Sequence, residues 1–287
     1  MATASATVPP KLSGMTYRVV GVLGNGAGST ILQIADKNGG KRYALKVVRK
    51  QEPEDEVYIE QAKTELDVAQ RLNHPNIVKI YDLRLKKKWF KVVGVELLME
   101  FVDGKPLDEV EAPELSQLVL ISARVASALA HMHRRGIYHG DLKPPNIMLS
   151  KAGQVKLIDF GTAWVRGVDK NRVQGTPQYI APEQAYDRVV NERTDIYNFG
   201  ATLYRLFTGR FAQTEIPKPG RDRVLAPASG VNPRVSPRLN QLVMSCLEMS
   251  PERRPAGMFE VREALARVIK EMGLADAEIR GAEGDDD

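Results

Sequence analysis

The sequence predicts an α+β protein in which the strands come first and the helices second. Before residue 100, several runs alternate apolar and polar side chains with the two-residue period of a strand. Beyond it, apolar residues recur at helical spacing. A third observation is a polar stretch set between strand-like runs. His139-Gly140-Asp141-Leu142-Lys143-Pro144-Pro145-Asn146 precedes the apolar Ile147-Met148-Leu149, and Asp159-Phe160-Gly161 closes the short run Val155–Ile158.

Taken in order, residues 17–23 alternate like a strand and meet a glycine-rich loop, Gly24-Asn25-Gly26-Ala27-Gly28-Ser29-Thr30-Ile31. Glycines let such a loop bring its backbone amides close to a phosphate. Residues 42–48 form the next strand. Residues 56–72 have helical periodicity, with Val57, Ile59, Leu66, Ala69 and Leu72 on an inward stripe. Strands over 78–85 and 89–99 are joined by a turn at Lys86-Lys87-Lys88. Pro113 opens a long helix to about residue 135 with Leu115, Leu118, Ile121, Val125, Leu129 and Met132 inward, and Gly136 ends it. His131 and His133, near its end, are expected in surface or capping roles. A further apolar helix starts at Asp195 and runs through Phe207.

Composition bounds the function classes. Hydrophobic residues at 43% and charged residues at 27% are those of a soluble globular chain. The single cysteine, Cys246, excludes an intrachain disulfide and sits in an apolar helical pattern, as expected of a buried thiol in a reducing, cytoplasmic compartment. No uninterrupted apolar run reaches the ~18 residues of a bilayer span, so no membrane segment is expected. The start lacks the basic and apolar regions of a signal peptide, and residues 1–14 are expected to be a disordered leader. Residues 273–287 are expected to be a disordered acidic tail. From Ala275 on there are six acids against Arg280 alone, which leaves about +10 on the rest and favours anionic partners. The basic residues are scattered without interleaved aromatics, and the one run, Lys86-Lys87-Lys88, falls in the expected hairpin turn, so a solvated surface is expected and nucleic-acid binding is not.

Asp141, Lys143, Asn146 and Asp159, held on two neighbouring strand ends, gather two carboxylates, an amide and an ammonium. That set suits divalent-metal and polyphosphate chemistry: oxygen ligands for a hard cation, a carboxylate to accept a hydroxyl proton, and a cation for transferring charge.

H-G-D-L-K-P-P-N followed by D-F-G resembles the catalytic loop and metal-binding motif of protein kinases, H-R-D-L-x-x-x-N and D-F-G, with Gly140 where arginine usually stands. Other motifs keep the family's order across residues 17–270. Gly24 to Ile31 is similar to its glycine-rich loop, with Ser29 for the third glycine and Gly28 where an aromatic is common. Tyr43-Ala44-Leu45-Lys46 resembles the V-A-I-K strand, Glu96 to Gly104 the hinge, and Gly175 to Glu183 the G-T-x-x-Y-x-A-P-E segment. Pro251 to Pro255 matches P-x-x-R-P.

The resemblance, nearest to bacterial Ser/Thr kinases of the eukaryotic-like class, implies a two-lobed fold. Its β-rich N-lobe would span 15–99, the hinge 100–104 and the helical C-lobe 105–272. It also implies transfer of the ATP γ-phosphoryl group to Ser/Thr hydroxyls of protein substrates, with Mg2+ (Mn2+ as the alternative ion). Asp141 would be the base and Lys143 would steady the γ-phosphate. Thr176 would bond to both, and Lys46 would reach the α- and β-phosphates with Glu65 as its ion-pair partner. Asn146 and Asp159 would hold metal. The nucleotide would lie against Leu23, Gly24, Asn25, Gly26, Ala27, Gly28, Ser29, Ile31, Ala44 and Met148, beside the gatekeeper Met99. The Glu100 carbonyl and Val102 amide would bond the adenine edge. Asp195 would bond the catalytic-loop backbone, and Arg254 would pair with Glu183.

In relatives the catalytic-loop arginine is quenched by an activation-loop phosphate. Here Gly140 replaces it, and no Ser, Thr or Tyr lies between Ala163 and Gly175. No requirement for activation-loop phosphorylation is therefore expected. Two other readings stay open on the sequence: a non-catalytic pseudokinase module, suggested by Ser29 and Gly140, and a kinase-fold enzyme acting on a small molecule. Substrate and oligomeric state are not legible.

Overall fold

A computed structural model describes residues 9–26, 28–168, 174–216 and 224–274. Ala27, the middle of the segment between Ala163 and Gly175, residues 1–8 and the acidic stretch from 275 lie outside the described residues. The chain forms two compact units: residues 9–71 with 78–102, and residues 72–77 with 103–274.

The first unit is an antiparallel five-stranded sheet with one helix. Its strands are β1 (Tyr17–Gly26), β2 (Ser29–Asp36), β3 (Arg42–Arg49), β4 (Ile80–Lys88) and β5 (Lys91–Glu100), in the order β1-β2-β3-β5-β4. Helix α1 (Glu56–Gln70) joins β3 to β4. The period of two on β3 sorts its side chains. Tyr43 and Leu45 pack with Ile34 and Leu98 on one face. Val48 packs with Ile59 and Ala62 of α1 and Val95 of β5 on the other. Lys46 shares the α1 side with Val48.

Four expectations for this unit are revised. β2 is a full strand from Ser29 to Asp36, whereas the sequence predicts only a glycine-rich loop over residues 24–31. The inward stripe of α1 is Ile59, Ala62, Glu65, Val68 and Ala69, while Val57, Leu66 and Leu72 are half-buried. The β4–β5 turn is Trp89-Phe90, with the three lysines in β4: Lys88 pairs with Lys91 and Lys86 with Gly94. Residues 9–14 belong to the unit, because Leu12 is fully buried in the Tyr43 and Leu98 cluster. Its amide donates to Asp82 Oδ2 at 2.6 Å.

The second unit holds β6 (Gly104–Pro106), α2 (Leu115–Arg134), β7 (Ile137–Tyr138), β8 (Ile147–Ser150), β9 (Val155–Leu157) and β10 (Trp164–Val165). Helices α3 (Pro182–Tyr186), α4 (Glu192–Thr208), α5 (Ala228–Val231), α6 (Pro237–Cys246) and α7 (Met258–Glu271) complete it. Helix α2 packs on α4 and α7. By length and hydropathy α2 could cross a membrane, but 67% of its apolar window is buried inside this unit, as in a core helix.

Helix α4 starts three residues before Asp195, because Asn191 caps it. The Asn191 side chain accepts from the amides of Arg193 and Thr194, and Thr194 Oγ1 accepts from the Asn191 amide. Ser236 caps α6 through the Leu239 amide at 3.2 Å, with Pro237 at the first helical position. Residues 72–77 join this unit through the Asn76 side chain, which donates to the Val155 carbonyl, and through Ile77, bridged to Leu157.

Candidate active site

In the first unit, Lys46 and Glu65 form an ion pair, with side chains 17% and 2% exposed. The pairing follows from two periodicities. Val48 meets Ile59 and Ala62, so Lys46, two residues earlier on the same strand face, meets the residue one helical turn past Ala62. Ala44, next on that face, is buried and registers with Met99. Ile31 registers with Lys46. Glu100 pairs with Tyr43, and its side chain accepts from the Lys79 amide at 3.1 Å. Val102 is the last residue of the unit.

The glycine-rich segment is the β1–β2 hairpin, with Gly24 opposite Ile31, Asn25 opposite Thr30 and Gly26 opposite Ser29. Thr30 Oγ1 donates to Asn25 Oδ1 at 3.1 Å. Leu23 is largely exposed. Gly28 has φ of 70°, and a Cβ there would run into the Tyr58 ring of α1. The Tyr58 ring of α1 thus lies against Gly28, a long-range contact with no local signal in the sequence.

In the second unit, Asp141, Lys143 and Thr176 close a triangle. Lys143 Nζ donates to Asp141 Oδ2 and to Thr176 Oγ1, both at 2.7 Å, and Thr176 Oγ1 donates to Asp141 Oδ1 at 2.8 Å. Asn146 Nδ2 donates to the Asp141 carbonyl at 2.9 Å, which leaves its Oδ1 as an acceptor. The β8–β9 register sets Ile147 opposite Leu157 and Met148 opposite Lys156. The Ile158 amide donates to the Asn146 carbonyl, so Asp159 emerges beside the Asn146 strand end. Asp159 has φ of 66°, an uncommon conformation for a non-glycine residue. Phe160 beyond it is fully buried, edge-on to His139 at 5.8 Å between ring centroids.

Buried Asp195 fixes the loop backbone. Its Oδ2 accepts from the His139 amide and its Oδ1 from the Gly140 amide, each at 2.8 Å. His133 Nε2 lies 2.8 Å from Asp195 Oδ2, and its Nδ1 lies 3.2 Å from Glu192 Oε1. Burial disfavours the imidazolium, but the hydrogen bonds to Asp195 and Glu192 outweigh it and push the His133 pKa up to about 9. His131 and His133 are both buried, which overturns the surface role expected of them. The bond with His133 in turn lowers the Glu192 pKa.

Gly140 has φ of 72°, and a Cβ there would lie 3.3 Å from the Trp164 indole. Gln184 Nε2 donates to the carbonyls of Gly140 at 2.5 Å and Gln174 at 2.7 Å. Trp164 and Gln184 carry no signal in the sequence, and His133 was given the wrong surroundings, because no pattern of spacing announces a tertiary contact. Arg254, in contrast, grips Glu183 in the expected buried bidentate pair, at 2.6 and 2.9 Å.

A family model described as the protein kinase domain matches residues 17–267. The chain belongs to this family. The kinase domain is 31% identical over 271 residues to a probable serine/threonine-protein kinase of Clostridium acetobutylicum, covering 88% of this chain and 40% of that protein. It is 30% identical to the serine/threonine-protein kinase PrkC of Bacillus subtilis, over 91% of this chain and 41% of the relative. Against the serine/threonine-protein kinase PknB of Mycobacterium leprae it is 32% identical, with 91% and 44% covered. The kinase domain therefore spans about two fifths of the length of these relatives.

Proposed function

We propose that this kinase domain transfers the γ-phosphoryl group of ATP to Ser or Thr hydroxyls of protein substrates. The observation that carries the reading is the Asp141-Lys143-Thr176 triangle. A carboxylate clamped between an ammonium and a hydroxyl is oriented to accept an acceptor-hydroxyl proton, and Lys143 stands ready to offset charge on the transferring group. Lys46, oriented by Glu65, serves the α- and β-phosphates. The hairpin over residues 23–31, with Ala44, Met99, Glu100, Val102 and Met148, serves the rest of the nucleotide.

The donor set suits magnesium. The Asp159 carboxylate and the free Asn146 Oδ1 are hard oxygen ligands, few enough that the ion keeps waters and phosphate oxygens. When bound, magnesium (or manganese) neutralises phosphate charge. We place this activity in the cytoplasm, in keeping with a single cysteine, Cys246, which can form no intrachain disulfide.

Regulation is the finer part of the proposal: activity does not require activation-loop phosphorylation. The Gln184 amide already ties the catalytic loop at Gly140 to the activation segment at Gln174 without charge. A several-fold rate increase tracking phosphate on Thr162 or Thr176 would contradict this. The transfer itself is tested by incubating the protein with Mg-ATP and a generic basic protein and recording intact masses. Mass gained in single-phosphate steps, mapping to Ser or Thr and absent with Lys46→Met, is the expected result. ATP binding without any transfer would instead identify a non-catalytic module, and transfer only to amino sugars or choline a small-molecule enzyme.

A further inference from the structure

The β4–β5 hairpin ends in a two-residue turn that its own sequence does not favour. Such turns are built from Asn-Gly or Gly-containing pairs because they need positive φ. Here the turn is Trp89-Phe90, with Trp89 at φ of 58°. A bulky residue is rarely held in that region, and holding it there costs stability. Nothing is recovered by packing: Trp89 is 88% exposed and Phe90 97%. The fold therefore gives no reason for this pair.

The flanking residues suggest one. Lys86, Lys87 and Lys88 precede the turn and Lys91 follows it, all exposed, so four cations and no acid fall within six residues. Lys86 reaches back to Glu96 at 3.0 Å. Among the described residues, no ion pair involves Lys87, Lys88 or Lys91. The result is a convex tip with two aromatic rings at its apex and a collar of ammonium groups behind them. Aromatic side chains partition to the interface of a bilayer, and lysines beside them meet anionic headgroups.

We propose that this hairpin tip is a peripheral membrane contact selective for anionic lipid surfaces. A nucleic-acid site is a poorer match. Single strands are bound along grooves in which bases stack on aromatic platforms, whereas these rings cap a projection two residues wide. One such anchor gives reversible attachment, not a span.

The test is co-sedimentation of the full chain with phosphatidylcholine vesicles, with and without phosphatidylserine. Trp89→Asn with Phe90→Gly gives the turn its preferred residues, so the variant should melt no lower than the wild type. Wild type is expected to bind only the phosphatidylserine vesicles, less at high salt, with a blue shift of tryptophan emission. The double variant should bind at least tenfold more weakly and show no shift. Replacing Lys87, Lys88 and Lys91 by Ser should weaken binding on the order of 100-fold, at roughly fivefold per lysine. Three results would overturn the proposal. They are no binding to the anionic vesicles, binding undiminished in the double variant, or retention of a single-stranded oligonucleotide, but not of vesicles, that depends on Trp89 and Phe90.

Discussion

At the scale of single residues, Gly140 concentrates the difference from the family pattern. Its φ of 72° is free for glycine, and the Trp164 indole fills the space a side chain would enter. Gly140→Arg should therefore destabilise, by roughly 1–2 kcal/mol for the left-handed backbone alone, visible as a lower melting temperature. It should create no dependence on phosphorylation, because no hydroxyl side chain lies between Ala163 and Gly175 for a phosphate to occupy. His133 is the second residue whose environment has a measurable consequence. Its folded-state pKa of about 9 stands above the 6.5 of a free imidazole, so the charged form is held by the fold. The resulting stability is fully present below pH ~6.5 and is lost as pH rises through about 9. Denaturant midpoints should fall over that window in wild type and fall less in His133→Gln.

At the scale of elements, the catalytic loop is seated by α4 as well as by its own hydrogen bonds. Asp195 takes two loop amides and the His133 ring on one buried carboxylate. In Asp195→Asn at least one donor would face an amide group, and the loop would lose its seat. The expected outcome is a fall in kcat of tenfold or more with nucleotide affinity nearly unchanged, measured by steady-state kinetics beside nucleotide titration. Much of this was legible in advance. The order and spacing of Asp141, Lys143, Asn146 and Asp159 carry the motif, and the resemblance to the kinase pattern supplied Asp195 and the pairing of Lys46 with Glu65. What escaped was the set by which one element supplies another: Tyr58 against Gly28, His133 under Asp195, Gln184 across two carbonyls. The stripe of α1 was misplaced for a related reason. Glu65 is buried by its pairing with Lys46, so a polar residue occupies the inward face that a purely apolar pattern assigns elsewhere. The turn at Trp89-Phe90 was misplaced because turn chemistry points to polar residues, and the lysines were the polar ones.

At the scale of the whole molecule, the second unit is held by a charge pair as well as by its helices. Arg254 is fully buried, and beyond the Glu183 carboxylate its guanidinium donates to the carbonyls of Glu248, Arg193 and Met249. Removing one partner leaves the other charge buried and unpaired, at a cost of about 3–5 kcal/mol. Arg254→Ala should therefore unfold at much milder denaturant than wild type, whereas surface pairs such as Arg71 with Asp67 should change stability by under about 1 kcal/mol when broken. The central claim concerns chemistry, and the most direct measurement is single-turnover phosphoryl transfer from Mg-ATP by Asp141→Asn beside wild type, at saturating nucleotide. The substitution keeps the shape of the triangle and removes the proton acceptor. The expected result is a loss of transfer of about 10²–10⁴-fold with nucleotide affinity retained. Transfer at the wild-type rate would contradict the assignment of Asp141, and with it the account of this site.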